Sequence, residues 1–323
     1  MPEVFAQHAR SDAYAQRLRI RRIFDRRAAC FNEVAFLPRE IARRMHERLD
    51  YIKLAPKHVL DAGCGPGADL PFLSARFAQA AVMGVDLSHR MSARARRNPP
   101  AASAKWRRLL KALSGGSSAH TQTVVQADFA MLPFLTDTFD LLWSNLALHW
   151  HARPYEVVTE WQRILNKGGV LMFSTLGPDS LRELRAAWRV ADASTPQPRV
   201  ISFIDMHDLG DMLARSGFET PVMDMEMLTL TYRSPAALLN DVRRWGAYPF
   251  DRPLTGLMGR RQYATLNAAL EAQHSAGGQI ELSFEVVYGH AWKKSARTST
   301  ISPEGYGVVK LENILGRTLK KQP

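Results

Sequence analysis

The feature that most constrains this chain is a run of alternating glycines after a short apolar segment, Val59-Leu60-Asp61-Ala62-Gly63-Cys64-Gly65-Pro66-Gly67. A second apolar run, Gly84-Val85-Asp86, ends in another acid after an interval of about 20 residues, which is usual for a ribose-binding carboxylate. A strand that enters a helix through glycines lets the backbone approach a ligand closely. The pattern therefore predicts a nucleotide-binding strand–loop–helix unit.

The glycine spacing favours S-adenosylmethionine (SAM) over a dinucleotide. The loop reads Gly-x-Gly-x-Gly after Asp61, not the Gly-x-Gly-x-x-Gly of dinucleotide sites. SAM has no phosphate, so the loop is expected to pack against its amino acid and ribose. We expect Asp86 to accept from the ribose hydroxyls and Asp128, followed by Phe129, to accept from the adenine amino group. The predicted cofactor-binding residues are Asp61, Gly63, Cys64, Gly65, Gly67, Asp86, Leu87, Asp128, Phe129 and Asn145.

Hydrophobic periodicity predicts alternating strands and helices over most of the chain. This alternation predicts a parallel sheet that is covered on both faces. We expect an N-terminal helical arm over residues 1–55 and one domain over 56–323, with a basic insertion at about 98–120 and a helical lid at about 234–274. The predicted strands are 58–62, 81–86, 124–127, 139–144, 170–175, 221–232 and 281–292, and the main helices are 34–52, 68–78, 154–166, 178–192 and 205–216.

The charge of the chain bears on its partner. The formal net charge is +12, and such a surface attracts an acidic partner, either a nucleic acid or an acidic carrier protein. A merely soluble arginine-rich surface is the alternative. The chain has no apolar run of membrane-spanning length, and its two cysteines fit no metal site. We also expect no secretory signal, because no apolar segment follows a basic start. We expect a cytoplasmic protein with no metal and no membrane association. The basic residues concentrate in two blocks, Arg17, Arg19, Arg21, Arg22, Arg26, Arg27 and then Arg90, Arg94, Arg96, Arg97, Lys105, Arg107, Arg108, Lys111.

Several further segments carry a family resemblance. They are residues 21–26 (Arg-Arg-Ile-Phe-Asp-Arg), 144–150 (Ser-Asn-Leu-Ala-Leu-His-Trp), 174–181 (Ser-Thr-Leu-Gly-Pro-Asp-Ser-Leu) and 286–293 (Val-Val-Tyr-Gly-His-Ala-Trp-Lys). With the glycine motif, they make the chain similar to class I SAM-dependent methyltransferases and, within these, to the malonyl-acyl-carrier-protein O-methyltransferases of biotin synthesis. One departure is Phe31, where that family usually has a tyrosine.

The resemblance implies a Rossmann-like fold with a mostly parallel seven-stranded sheet, helices on both faces and a helical lid. It also implies methyl transfer from SAM to the free carboxylate of malonyl-acyl carrier protein, giving an ester that primes pimeloyl synthesis. The implied partner is an acidic acyl carrier protein. Nucleic acid is an unlikely substrate, because Asn145-Leu146-Ala147-Leu148 differs from the Asn-Pro-Pro-Tyr motif of enzymes that methylate base amino groups.

The expected reaction depends on alignment of the carboxylate with the methyl group more than on a general base. A carboxylate is already ionised at neutral pH, and an arginine fork matches its shape. Trp150 could contact the sulfonium of SAM by cation–π attraction. His149 is expected to act as a structural hydrogen-bond partner and not as a general base, and Asn145 lies at the carboxyl end of strand four. Arg26, Arg27, Arg182, Arg185 and Arg260 are the candidate clamps, and the predicted catalytic residues are Asn145, His149, Trp150, Arg27 and Arg185.

Two other functions remain open from the residues alone. One is a SAM-dependent methyltransferase for another small acid or a quinone-like ring. The other is an assembly factor of the same fold that has lost substrate chemistry, because a fold does not determine a function. The acids Asp61, Asp86 and Asp128 favour retained cofactor binding in every case.

Overall fold

The computed structural model describes residues 2–97, 124–192, 199–245, 258–275, 277–295, 300–301 and 307–308. The predicted basic insertion at 98–120 lies outside these residues. The described strands are β1 (His58–Ala62), β2 (Ala81–Asp86), β3 (Val124–Gln126), β4 (Phe139–Ser144), β5 (Leu165–Leu176), β6 (Phe218–Tyr232), β7 (Ile280–Lys293), β8 (Thr300–Ile301) and β9 (Gly307–Val308).

The described helices lie before and between these strands. They are α1 (Pro2–Arg27), α2 (Phe31–Val34), α3 (Phe36–Leu49), α4 (Leu70–Arg76), α5 (His89–Ala95), a 3-10 turn (Leu148–Trp150), α6 (Pro154–Ile164), α7 (Arg182–Ala191), α8 (Met206–Arg215), α9 (Pro235–Trp245) and α10 (Arg260–Glu271). Among these described helices, none is both long and apolar enough to span a bilayer.

The main sheet has the strand order β3-β2-β1-β4-β5-β7-β6. The neighbours from β3 through β5 pair in parallel, whereas β7 runs antiparallel to both β5 and β6. The β8–β9 pair forms a separate two-stranded sheet. The prediction of a Rossmann-like, mostly parallel seven-stranded sheet with helices on both faces is confirmed.

Apolar side chains are buried on both faces of this sheet, as the near-continuous hydrophobic strands predict. Along β4, Leu141 and Trp143 face one buried cluster and Leu142 faces the other, because successive side chains of a strand point to opposite faces. Helix α3 covers the first face through Ile41 and Met45, which lie one helical turn apart. The amphipathic helix predicted over 34–52 corresponds to α3, which is shorter at both ends.

Local sequence signals explain where the other helices begin. The Ser88 hydroxyl accepts a hydrogen bond from Met91 N and caps α5, and the Asp205 carboxylate accepts from His207 N and caps α8. Pro154 opens α6, where a missing N–H costs nothing.

Several predicted boundaries were wrong, two of them by four residues or more. Strand β5 begins at Leu165, five positions before its predicted start at Val170, because pairing with β4 already starts at the Phe139–Leu165 pair. Helix α7 begins at Arg182, not at Pro178, because Leu181 adopts a left-handed φ of 61° that interrupts the helix.

Candidate functional site

The carboxyl ends of the parallel strands open onto a cavity of about 610 Å³. The glycine loop follows β1, Asp86 ends β2, and Asn145 follows β4 directly. Strand β1 lies between β2 and β4, the point at which the order of the sheet reverses. Open α/β sheets bind ligands at such a point, so the fold brings the predicted strand-end residues to one cavity.

The glycine loop is shaped for close approach. Gly63, Gly65 and Gly67 have φ values of 83°, 53° and 83°, in the region that favours glycine. A Cβ on Gly63 would overlap the Cβ of Ala147. Gly63 and Gly65 line the cavity. The loop therefore offers a ligand a backbone surface that any side chain would obstruct.

The amides of this loop are mostly used within the chain. Gly63 and Cys64 both donate to Val85 O, and Gly67 donates to Cys64 O. Gly65 N donates to Asp86 Oδ2 at 2.9 Å. The loop is consequently held against β2, and a ligand there meets a rigid surface more than a set of free N–H donors.

Asp86 is the carboxylate that accepts a hydrogen bond from this loop. It is 9 % exposed, and Oδ1 accepts from Ser88 N at 2.7 Å. Burial raises the pKa of Asp86 to about 6, against the opposing effect of its two backbone hydrogen bonds. The Ser88 hydroxyl in turn donates to Asp25 Oδ1 at 2.6 Å, which ties the last turns of α1 to the same corner.

Two further buried carboxylates, those of Asp61 and Asp69, lie near the loop. Asp61 is 2 % exposed, and its pKa is raised by burial and by the charges of Asp69 and Asp86. Asp69 Oδ2 accepts from Trp143 Nε1 at 3.0 Å, and Asn145 Nδ2 lies 3.5 Å from it. Such crowded buried acids favour a cationic ligand nearby, since a positive charge would lower the cost of ionising them.

Asp128 follows β3, whose Gln126 pairs with Asp86 of the neighbouring strand β2. Its Oδ1 accepts from Ala130 N at 2.9 Å, and its Oδ2 lies 3.3 Å from Arg17 Nη1 of α1. Phe129 lines the cavity beside it and packs at 5.9 Å between ring centroids against Trp161. The end of the cavity at β3 thus combines an acceptor with an aromatic wall.

Asn145 is the junction of a hydrogen-bond network. Its Nδ2 donates to Pro38 O at 3.0 Å, and its Oδ1 accepts from Ser174 Oγ at 2.8 Å. The next residue, Leu146, has a left-handed φ of 49° and donates to the same hydroxyl at 3.0 Å. The side chain of Asn145 therefore fixes the turn after β4 against α3 and β5, while the residue also lines the cavity.

Arg27 is the candidate clamp that lines the cavity. It is 8 % exposed, and its guanidinium carbon lies 5.3 Å from the ring centroids of both Phe24 and Trp150. Its Nη2 finds no hydrogen-bond acceptor among the residues that the structure describes. Burial lowers the pKa of Arg27 to about 9, which leaves it protonated at neutral pH. A buried cation that lacks an acceptor is costly unless an anion joins it.

The other candidate arginines lie elsewhere. The Arg185 guanidinium donates to Ser180 O at 2.7 Å and to Pro178 O at 2.8 Å, so it closes the turn before α7. Arg182 is exposed and lies 3.0 Å from Glu183, and Arg26 and Arg260 are also exposed. None of these four is among the described residues that line the cavity.

His149 lines the cavity and is partly buried. Burial lowers the pKa of His149 to about 3, so the ring is neutral at physiological pH, and its Nδ1 lies 3.4 Å from Thr175 Oγ1. A neutral hydrogen-bonding group fits the expectation of a structural partner. Its contacts with a ligand stay a prediction.

The structure also separates the predicted cofactor residues. Gly63, Gly65, Asp86, Leu87, Asp128, Phe129 and Asn145 line the cavity, whereas Asp61, Cys64 and Gly67 lie just behind it. Burial raises the pKa of the Cys64 thiol, which packs toward Gly84. Whether each residue touches SAM stays a prediction.

The sequence analysis did not predict several of the residues that form the cavity wall. Three more arginines line it, each in an ion pair: Arg17 with Asp128, Arg153 with Glu156 and Arg244 with Glu33. The far wall is apolar and comes from distant segments, including Leu37, Leu176, Leu181, Ile201, Trp245 and Phe284. The run of arginines in α1 was a signal for Arg17 alone, because Arg153 and Arg244 lie outside that helix. No local signal marks the second, because only tertiary packing brings those residues together.

Comparisons with known proteins agree on one family. The methyltransferase-domain family profile matches residues 34–221. The chain is 40 % identical over 297 residues to a malonyl-[acyl-carrier protein] O-methyltransferase of Laribacter hongkongensis, covering 92 % of this chain and 96 % of the relative. Relatives of the same name occur in Nitrosospira multiformis, at 40 % identity with 91 % and 94 % coverage, and in Methylovorus sp., at 41 % with 93 % and 96 %.

A solved structure supports the fold alone. A Bacillus halodurans protein described as a methyltransferase aligns with a TM-score of 0.50 at 18 % identity, covering 79 % of this chain and 99 % of that one.

Proposed function

This chain belongs to the malonyl-[acyl-carrier protein] O-methyltransferase family, and from that premise we propose that it esterifies the free carboxylate of malonyl-acyl carrier protein with a methyl group from SAM. It is a SAM-dependent O-methyltransferase. The product masks one charge of the malonyl group, and we propose that the ester primes pimeloyl synthesis for biotin. The observation that carries the substrate assignment is Arg27, a buried cation in the cavity whose Nη2 has no acceptor among the described residues.

The residues that line the cavity are suited to bind SAM. Gly63 and Gly65 present backbone where a Cβ on Gly63 would overlap Ala147, and Asp86 and Asp128 line the cavity from the ends of the adjacent strands β2 and β3. We propose that Asp86 accepts from the ribose hydroxyls and that Asp128 with Phe129 takes the adenine. The buried acids Asp61 and Asp69 behind the loop suit the positive end of SAM.

When bound, SAM would supply an electrophilic methyl group to a carboxylate oxygen of the substrate, and the demethylated thioether would leave. The substrate carboxylate is ionised at neutral pH and needs no base. The contribution of the protein is then alignment of the two reactants, which lowers the activation barrier by on the order of 7–11 kcal/mol in well-oriented reactions. We assign Arg27 to hold the carboxylate, because its fork matches both oxygens and its neighbours Phe24 and Trp150 restrict its position.

The neutral His149 supports the same mechanism. With its pKa lowered to about 3 by burial, the ring brings no positive charge that would compete with Arg27 for the carboxylate. Mostly apolar walls, with Leu176, Leu181 and Phe284, limit water around the reacting oxygen. We infer that the predicted arm and lid, represented by α1 and α9, cover this site, because Arg27 and Trp245 line it from those two helices.

An acidic acyl carrier protein would be attracted by the exposed arginines of α1. Arg22 and Arg26 are exposed on that helix, and Arg90 is exposed on α5 beside it. Within the predicted basic block, Arg94 donates to Ala28 O and Ala29 O, and Arg96 donates to Val124 O. We therefore propose Arg22, Arg26 and Arg90 as the docking charges. A cytoplasmic location belongs to the same proposal, since both cysteines are free thiols.

The test is product formation with defined substrates. The purified chain is incubated with SAM and malonyl-acyl carrier protein, and the intact carrier is weighed by mass spectrometry. We expect the mass gain of one methyl ester on malonyl carrier and none on acetyl carrier, which has no free carboxylate. Growth of a biotin auxotroph that lacks this step provides a second readout. Calorimetric binding of SAM without any methyl ester on malonyl carrier would refute the assignment.

A further inference from the structure

A second cavity of about 200 Å³ adjoins the main one. It lies between α1, the 3-10 turn, the end of β5 and residues 200–204. Residues that line both cavities form the partition between them. They are Gln16, His149, His151, Ala152, Ile201 and Phe203.

The partition is close to the proposed clamp. The His149 ring lies 5.3 Å from the Trp150 ring and 5.6 Å from the Phe203 ring, centroid to centroid. Trp150 in turn lies 5.3 Å from the Arg27 guanidinium carbon. In a malonyl group the two carbonyl carbons are separated by two C–C bonds of about 1.5 Å each. Trp150 thus neighbours both Arg27 and the His149 ring of the partition, and a malonyl group held by Arg27 is short enough that the chain beyond its thioester, not the acyl group, would enter the second cavity.

The lining of the second cavity is neutral. Among the residues that the structure describes, no Asp, Glu, Lys or Arg lines it. Its polar groups are the Thr175 hydroxyl, the Ser202 hydroxyl, the Gln16 amide and two imidazoles, and burial lowers the pKa of both His149 and His151. Apolar side chains, including two leucines and two isoleucines, form the remainder. Such a lining suits a flexible, uncharged chain that carries amides.

We propose that the second cavity receives the sulfur-proximal segment of the substrate's pantetheine arm, the S–CH₂–CH₂–NH–CO unit next to the thioester. This assignment rests on the proposed function, because a carrier-bound malonyl group is joined to its carrier by that arm. The volume of about 200 Å³ equals about seven waters at ~30 Å³ each, and this unit has a similar number of non-hydrogen atoms. The Thr175 and Ser202 hydroxyls supply partners for its amide.

Two soluble thioesters that share the malonyl group test this assignment. Malonyl-pantetheine carries the arm, and the S-ethyl malonyl thioester lacks it. We expect the native chain to favour malonyl-pantetheine in kcat/KM by about tenfold or more, since one well-placed amide and several methylenes typically contribute that much. Ile204→Trp, which places an indole in the second cavity, should reduce this preference to about twofold or less.

A milder variant and a matched control accompany that substitution. Thr175→Val keeps the side-chain shape, removes the hydroxyl, and should raise KM for malonyl-pantetheine about threefold to tenfold, with kcat less affected. Leu135→Trp adds the same indole at a side chain that is 82 % exposed and should keep the native preference. SAM affinity, measured by calorimetry, should stay within about twofold in all three variants, because none of these residues lines the main cavity.

The outcomes distinguish the two proposals. If the native chain esterifies both thioesters equally well, or if Ile204→Trp keeps the native preference, the second cavity does not hold the arm. If no malonyl thioester of any kind is esterified, the proposed function itself fails. Should Ile204→Trp fail to fold, the native preference and the KM of Thr175→Val decide between these results.

Discussion

Replacing Arg27 by methionine removes the buried guanidinium while retaining an apolar side chain of moderate length. The native side chain is 8 % exposed, and its Nη2 has no acceptor among the described residues. A hydrogen bond to a charged group contributes about 1.5–3 kcal/mol. At 1.4 kcal/mol for each factor of ten, we expect kcat/KM for malonyl-acyl carrier protein to fall about 10- to 150-fold.

The same substitution should have the opposite effect on the ligand-free fold. Burial lowers the pKa of Arg27 to about 9, so folding disfavours its charged form. Removing that charge should therefore leave the free energy of unfolding equal to or above that of the native chain, as observed when buried charges are replaced by apolar side chains. Denaturant unfolding without substrate measures this directly.

Two variants complete the design. Arg27→Lys keeps the charge but loses the planar fork and should recover only part of the activity. Arg189→Met removes an exposed arginine of α7 and should match the native chain in both assays. The reasoning is refuted if Arg27→Met retains native kcat/KM, or if its lost activity is accompanied by a comparable loss of stability, since the arginine would then serve the fold and not the substrate.

Three further outcomes are expected. Because burial raises the pKa of Asp86 to about 6, SAM affinity measured by calorimetry should weaken about tenfold as the pH falls from 7 to 5, while the ligand-free fold gains stability. Asp86→Asn should bind SAM weakly at both pH values, and a native affinity that does not change with pH would contradict this reasoning. Gly63→Ala should lose SAM binding and unfold at lower denaturant, since its φ is 83° and its Cβ would overlap that of Ala147, and native binding by this variant would show that the loop is not close-fitting. The double substitution Arg22→Glu with Arg26→Glu should raise KM for malonyl-acyl carrier protein at low salt but not for malonyl-pantetheine, and an equal effect on both would exclude a docking role.

The sequence predicted the half of the site that depends on local signals. The glycine loop and Asp86 lie at strand ends, and the carboxyl ends of parallel strands meet at one edge of the sheet. Those residues could therefore be placed together from the order of the strands alone, and the structure brings them to one cavity.

The choice among the arginines could not be made from the sequence. Arg26 and Arg27 are adjacent, yet one is exposed and the other buried, because the packing of Phe24 of α1 on Trp150 sets the rotation of the helix and so decides which side chain enters the cavity. That rotation is a long-range packing outcome, and helical periodicity does not specify it. The same holds for Ile201 and Phe284, which reach the far wall from segments more than eighty positions apart.

The hydroxyl of Ser88 serves two helices at once, since it caps α5 through Met91 N and donates to Asp25 of α1. The backbone N–H of the same serine holds the Asp86 carboxylate. Occupancy of the ribose end by a ligand is thus mechanically linked to the C-terminal turns of the first helix. Amide protons in those turns and at the beginning of α5 should slow their exchange with solvent together, as a single cooperative unit, when the nucleoside is added.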